Sequence, residues 1–266
     1  MASKIEQALE RITTQPDGSR SIPGTLESRA RGTASIARMR ESLPRKPQAL
    51  TAMRIIHPAM TPKVTNAFRQ LRTSLLRRAG SRNFLLLVTG VNEDAGTSFV
   101  ARNLAAAFAL EETKTALLVD CNIAHPQASD LFADGNEAVP GLTDYLDGHE
   151  TRVGRIIHET GVPRMRILPV GRSRVGGAEY FTGTRLRTLF QEILGRYPDR
   201  YVIVDAPPIL GTADTRILAD ICHSAMLVIP YAGVTASQVE AAVGSLPPDR
   251  FVGSVINNDP PMPFSA

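Results

Sequence analysis

Asn83-Phe-Leu-Leu-Leu-Val-Thr-Gly-Val-Asn-Glu-Asp-Ala-Gly-Thr-Ser98 is the stretch on which the fold turns. Asn83 to Val88 is an apolar run too short for a bilayer and the right length for a strand buried on both faces. A glycine-bearing loop follows, Thr89 to Gly96. Val100, Leu104, Ala107 and Phe108 then recur at helical spacing. Strand, loop and helix in this order repeat on either side. Strands are expected at Ala116-Leu-Leu-Val119, Arg166-Ile-Leu-Pro-Val170, Tyr201-Val-Ile-Val204, Ala225-Met-Leu-Val-Ile229 and Phe251-Val-Gly-Ser-Val-Ile256. Helices are expected from Thr61 onward and over 141–146, 185–194, 213–222 and 236–245. Alternation of this kind predicts an α/β fold, a three-layer sandwich with a mostly parallel central sheet flanked by helices.

The rest of the chain divides on composition. Ile5, Ala8, Leu9 and Ile12 form a narrow apolar stripe, so residues 1–14 read as an amphipathic N-terminal helix. Residues 15–60 are rich in Ser, Pro, Gly and Arg and read as a flexible linker, with the globular domain over 61–266. Two uses of the first helix stand side by side: docking on its own domain, or binding a partner from a tether. The linker arginines read as solvated charge. With 43% hydrophobic residues the chain can bury a sizeable core, and a formal charge of +4 gives nucleic-acid binding no support. The two cysteines, Cys121 and Cys222, sit in or beside apolar runs and read as core residues. The charged N-terminus is unlike a signal peptide and no apolar run reaches membrane length, so a cytoplasmic location is expected.

Ligands in open α/β sheets bind beyond the carboxyl ends of the strands. Three such ends carry chemistry. In the first loop, Gly96 and Ser98 stand where a phosphate-binding loop places its last glycine and its magnesium hydroxyl, but Thr97 stands where the lysine belongs. By itself that loop reads as an ordinary strand-to-helix turn. Leu117-Leu-Val-Asp-Cys-Asn122 is a strand closing in Asp120-x-Asn122, and Tyr201 to Pro208 is a strand closing in Asp205-x-Pro-Pro. Two strand-end carboxylates beside such a loop suit the magnesium–water shell of a nucleotide.

Taken together these segments resemble the cytoplasmic tyrosine-kinase domains of bacterial capsule and exopolysaccharide synthesis, relatives of the deviant P-loop ATPases of division and partition. The likeness runs through Ser3 to Glu10, Ala67-Phe-Arg-Gln-Leu-Arg-Thr-Ser74, Asn103-Leu-Ala105, Leu117 to Pro126, Gly141 to Gly148, Leu168-Pro-Val-Gly171, Val202 to Pro208 and Gly253-Ser-Val-Ile-Asn257. It implies ATP and magnesium held by Gly96, Thr97, Ser98, Asp120 and Asp205. It also implies an adenine-facing Asn257, and oligomer contacts through Arg69 and Arg72. The partner it implies is a membrane polysaccharide copolymerase, a homologous active kinase or a second copy.

The departures lie at functional positions. Thr97 replaces the lysine, Phe99 a hydroxyl residue, Asn122 the second acid, Ala124-His125 a basic pair and Asn66 an acid; the last tyrosine is Tyr231, with no terminal tyrosine cluster. The reading that follows is a kinase relative with weak or no catalysis, acting through binding. A residual ATP-using kinase or ATPase activated by a membrane partner is the alternative, with a basic residue such as Arg102 or a partner's arginine filling the lysine's place, and a positioning ATPase is a third.

Overall fold

The structure is a computed structural model that describes residues 43–60, 62–79, 83–127, 131, 139–172 and 178–258. The helix expected over 1–14 and the linker up to residue 42 lie outside the described residues. Among those described, seven strands make one sheet: β1 Leu85–Gly90, β2 Thr115–Asp120, β3 His158–Glu159, β4 Met165–Leu168, β5 Arg200–Asp205, β6 Ser224–Pro230 and β7 Phe251–Asn257. Their order is β3-β4-β2-β5-β1-β6-β7. All neighbours are parallel except the β3–β4 pair. The α/β expectation holds. β3 is too short to leave a period in the sequence.

Parallel strands joined by crossovers must be covered on both faces, and alternate residues of each strand divide accordingly. One face carries Leu86, Val88, Leu118, Ile203 and Val228. Over it pack α1 Pro47–Ala52, α2 Pro62–Ala79 and α3 Thr97–Ala109. The other face carries Leu85, Leu87, Leu117, Val119, Val204 and Leu227. It is covered by α4 Leu142–Leu146, α5 Val153–Ile156, α6 Ala178–Thr182, α7 Thr184–Arg196, α8 Ala213–Ile221 and α9 Ala236–Gly244. Both cysteines are buried free thiols in this second core, as expected.

The linker expected to run to residue 60 ends earlier. Leu50, Ile55 and Ile56 are buried in the first core. The backbone of Arg45 donates to Gly161 O and its Nε to Thr160 O. Asn103 of α3 then fastens the segment from both sides: its Oδ1 accepts from Ile56 N at 2.7 Å and its Nδ2 donates to Arg54 O at 2.9 Å. Residues 43–60 are therefore a strap across the helical face. Its three buried apolar side chains and these hydrogen bonds hold it, and a Pro- and Arg-rich composition hides them.

Candidate functional site

β1 runs straight into the glycine loop. Gly90 lies where the chain folds back over the strand end, and a Cβ there would collide with the Thr97 hydroxyl, the Ala95 methyl and Asn92 O. Glu93–Ala95 form one 3₁₀ turn, with Glu93 and Asp94 exposed. Gly96 follows in the left-handed region (φ 76°, ψ 31°) and serves as the N-cap of α3. That conformation, and the Asn257 amide pressed against it, leave room for glycine alone. Asn257 Nδ2 donates to Ala95 O at 2.9 Å, tying the end of β7 to the loop. No side chain caps α3, so its first-turn N–H groups are available to an anion.

The carboxylates come from neighbouring strands. Asp120 and Asp205 are register partners on β2 and β5, and both are buried. Asp120 Oδ1 accepts from Asn122 N and its Oδ2 from Gln127 N, which curls the chain over 121–127 around it. Asp205 receives the Ser98 hydroxyl. Its Oδ1 is buried with no hydrogen-bond donor. Burial, and then the charge of Asp120, push the Asp205 carboxyl up to about 8, against the opposing pull of Ser98 and Arg102. The Asp205-Ala-Pro-Pro208 turn has lost two N–H donors to proline. Its carbonyls are met instead by hydroxyls: Thr89 and Thr215 donate to Pro207 O, and Thr212 to Pro208 O.

The fold thus brings together Gly96, Thr97, Ser98, Asp120, Asp205 and Asn257. It gives Asn122 a local task, since its Oδ1 accepts from His125 N. Arg69 and Arg72, expected on one side of α2 as oligomer contacts, are separated. Arg69 is exposed, whereas half-buried Arg72 donates from Nη1 to Ala107 O at 2.8 Å, at the end of α3 away from the loop. Arg72 is therefore tied into its own domain. Two residues were not anticipated. Thr89 braces the Asp205 turn, and Asn92 has a buried Oδ1 without a donor. Only the position of Thr89 at a strand end hinted at such a role.

This donor set suits magnesium and phosphate. Among the described residues no three His, Cys, Asp or Glu side chains cluster to hold a metal alone. A magnesium ion here would take Ser98 and the aspartates and complete its shell with water. The unbonded oxygen of Asp205 is the kind of acceptor such a water fills. The loop would meet phosphates through backbone N–H groups. Thr97 is buried with its hydroxyl beside Gly90, and it brings no charge.

Sheet order, glycine loop and paired strand-end acids define a P-loop-type α/β protein. No family model matches the chain. Its relatives include the tyrosine-protein kinase CpsD of Streptococcus agalactiae serotype III (strain NEM316), 29% identical over 197 residues, covering 73% of this chain and 82% of that one. The tyrosine-protein kinase wzc of Salmonella typhi is 30% identical over 186 residues, 69% of this chain but 25% of that longer protein. The solved kinase domain of the Escherichia coli tyrosine kinase ETK superposes with a TM-score of 0.71 at 25% identity, covering 86% of each chain. The chain is thus homologous to bacterial tyrosine-protein kinases and shares the fold of their kinase domains. Among the described residues no helix is long and apolar enough to cross a membrane.

Proposed function

We propose that this chain is a tyrosine-kinase relative with little or no phosphoryl transfer of its own, and that it works by binding. Its partner is the membrane copolymerase of an exopolysaccharide export system, or an active kinase of the same family. Residues 1–14 are the segment we assign to contact with that partner. The observation that carries this reading is position 97, where an uncharged side chain is packed beside Gly90 in place of the lysine. A preorganised charge aimed at a developing negative charge is worth about 10²–10³-fold in rate. The degenerate loop, and the amide of Asn122 where a second acid belongs, weaken the site in the same direction.

The test is autophosphorylation of the full chain with ATP and magnesium, read by phosphotyrosine antibody and by mass spectrometry. The expected result is no phosphotyrosine above background; stoichiometric modification overturns the proposal. A second reading keeps ATP bound, with slow turnover. It is favoured by the surviving Ser98–Asp205 contact and the unbonded oxygen of Asp205.

A further inference from the structure

The site without a lysine at 97 still has a cation on the same helix. Arg102 is four residues beyond Ser98, so the two lie on one face of α3. Its Nη2 donates to Gln127 O at 2.5 Å, and Gln127 N donates in turn to Asp120 Oδ2 at 3.1 Å. Ser98 meets Asp205, and Arg102 meets the chain that wraps Asp120. The helix therefore grips both acidic strand ends from one face. The positive charge that acts on Asp205 is that of Arg102.

We infer that Arg102 is the positioning cation of a polyphosphate site: anchored on Gln127 beside the Asp120–Asp205 corner, it supplies from one turn further along α3 the charge that position 97 lacks. This rests on the second reading above, that the loop still holds a nucleotide. A guanidinium offers several donors from a planar fork and bonds to anions more strongly than a neutral donor does. It also explains how the loop tolerates Thr97, since the nearest charge on an incoming phosphate would otherwise be the two carboxylates.

The experiment is titration calorimetry of magnesium ADP and magnesium ATP against the full chain and four variants: R102A, R102K, T97K and the double variant T97K/R102A. Thermal melting without nucleotide checks that each is folded. The expected result is that R102A weakens ATP binding by about tenfold or more and that R102K recovers part of the loss. In the T97K background the effect of R102A should shrink to about threefold or less, since a lysine makes the distant cation redundant. Equal weakening with and without the lysine would make Arg102 a structural brace only. Unchanged binding in R102A overturns the inference, and so does absence of binding by the native chain. Autophosphorylation is read separately, so tight binding without phosphotyrosine leaves the proposed function standing.

Discussion

The two ends of the sheet both bury charge, and they do so in opposite ways. At the amino ends of β4, β2 and β5, Arg200 stacks on the Tyr197 ring at 3.8 Å beside Asp199, and Arg166 lies 3.7 Å from Glu159. Burial pulls the Arg200 guanidinium below its ordinary proton affinity, while Tyr197 and Asp199 resist that pull. At the carboxyl ends, Asp120 and Asp205 face each other with the same sign. Each end leaves one buried carboxylate oxygen without a donor, Asp199 Oδ1 and Asp205 Oδ1. An unbonded oxygen therefore does not by itself distinguish structure from function. The sign of the neighbours does. Opposite charges repay their own burial in part, whereas a like-charged pair waits for a cation from outside.

The largest expected effect is at the amino ends. Arg200→Ala removes a buried guanidinium that stacks on Tyr197 and donates to the Thr115 hydroxyl, and should cost about 2 kcal/mol or more in urea unfolding. A loss below about 1 kcal/mol would erase the distinction between the two ends. Asp205→Asn should act the other way. The native carboxyl keeps its proton up to about 8, while the unfolded one releases it near the ordinary value of 3.8. The folded state binds the extra proton across that interval, so native stability falls as pH rises through it. One pH unit of such a shift corresponds to about 1.4 kcal/mol. The variant should match the native protein near pH 4, exceed it at pH 8, and lose the slope between.

Asp144 gives the smallest and most local contrast. It is buried beyond β4, where its Oδ2 accepts from Gly141 N and Arg172 N and its Oδ1 from Arg172 Nε at 2.7 Å. Burial alone would raise this carboxyl, but those N–H donors and the arginine charge outweigh it and hold the group below its ordinary value. Its contribution is complete above the ordinary carboxylate range and is lost as pH falls through the lowered value. Asp144→Asn should cost about 1–3 kcal/mol at pH 7 and little at low pH. A pH-independent loss would show that shape rather than charge holds this turn.

What was legible in the sequence follows from where periodicity and polarity coincide. β1, β2 and β5 are continuous apolar runs ending at Gly90, Asp120 and Asp205, so their edges and their chemistry could be read together. The candidate loop and both acids could be read this way, whereas Asn257 rested on the resemblance of Gly253 to Asn257. Contacts that depend on which way a long side chain turns were not legible. Arg69 and Arg72 are three apart and look equivalent, yet one reaches water and the other Ala107 O. The strap escaped because its helix, Pro47–Ala52, has only six residues, too few to show a period. Arg102 was legible as a basic residue able to fill the lysine's place; its bond to Gln127 O beside Asp120 was not.

The strap also decides where the protein can be cut. A shortened chain beginning at Pro62 would open the cleft filled by Leu50, Ile55 and Ile56 and strip Asn103 of Ile56 N–H and Arg54 O. Asn103 lies six residues along α3 from Thr97, so damage there sits a turn and a half from the loop. Anyone dissecting this molecule by deletion would mistake a sticky, loosened fragment for an inactive one, unless the cut is made ahead of Arg45.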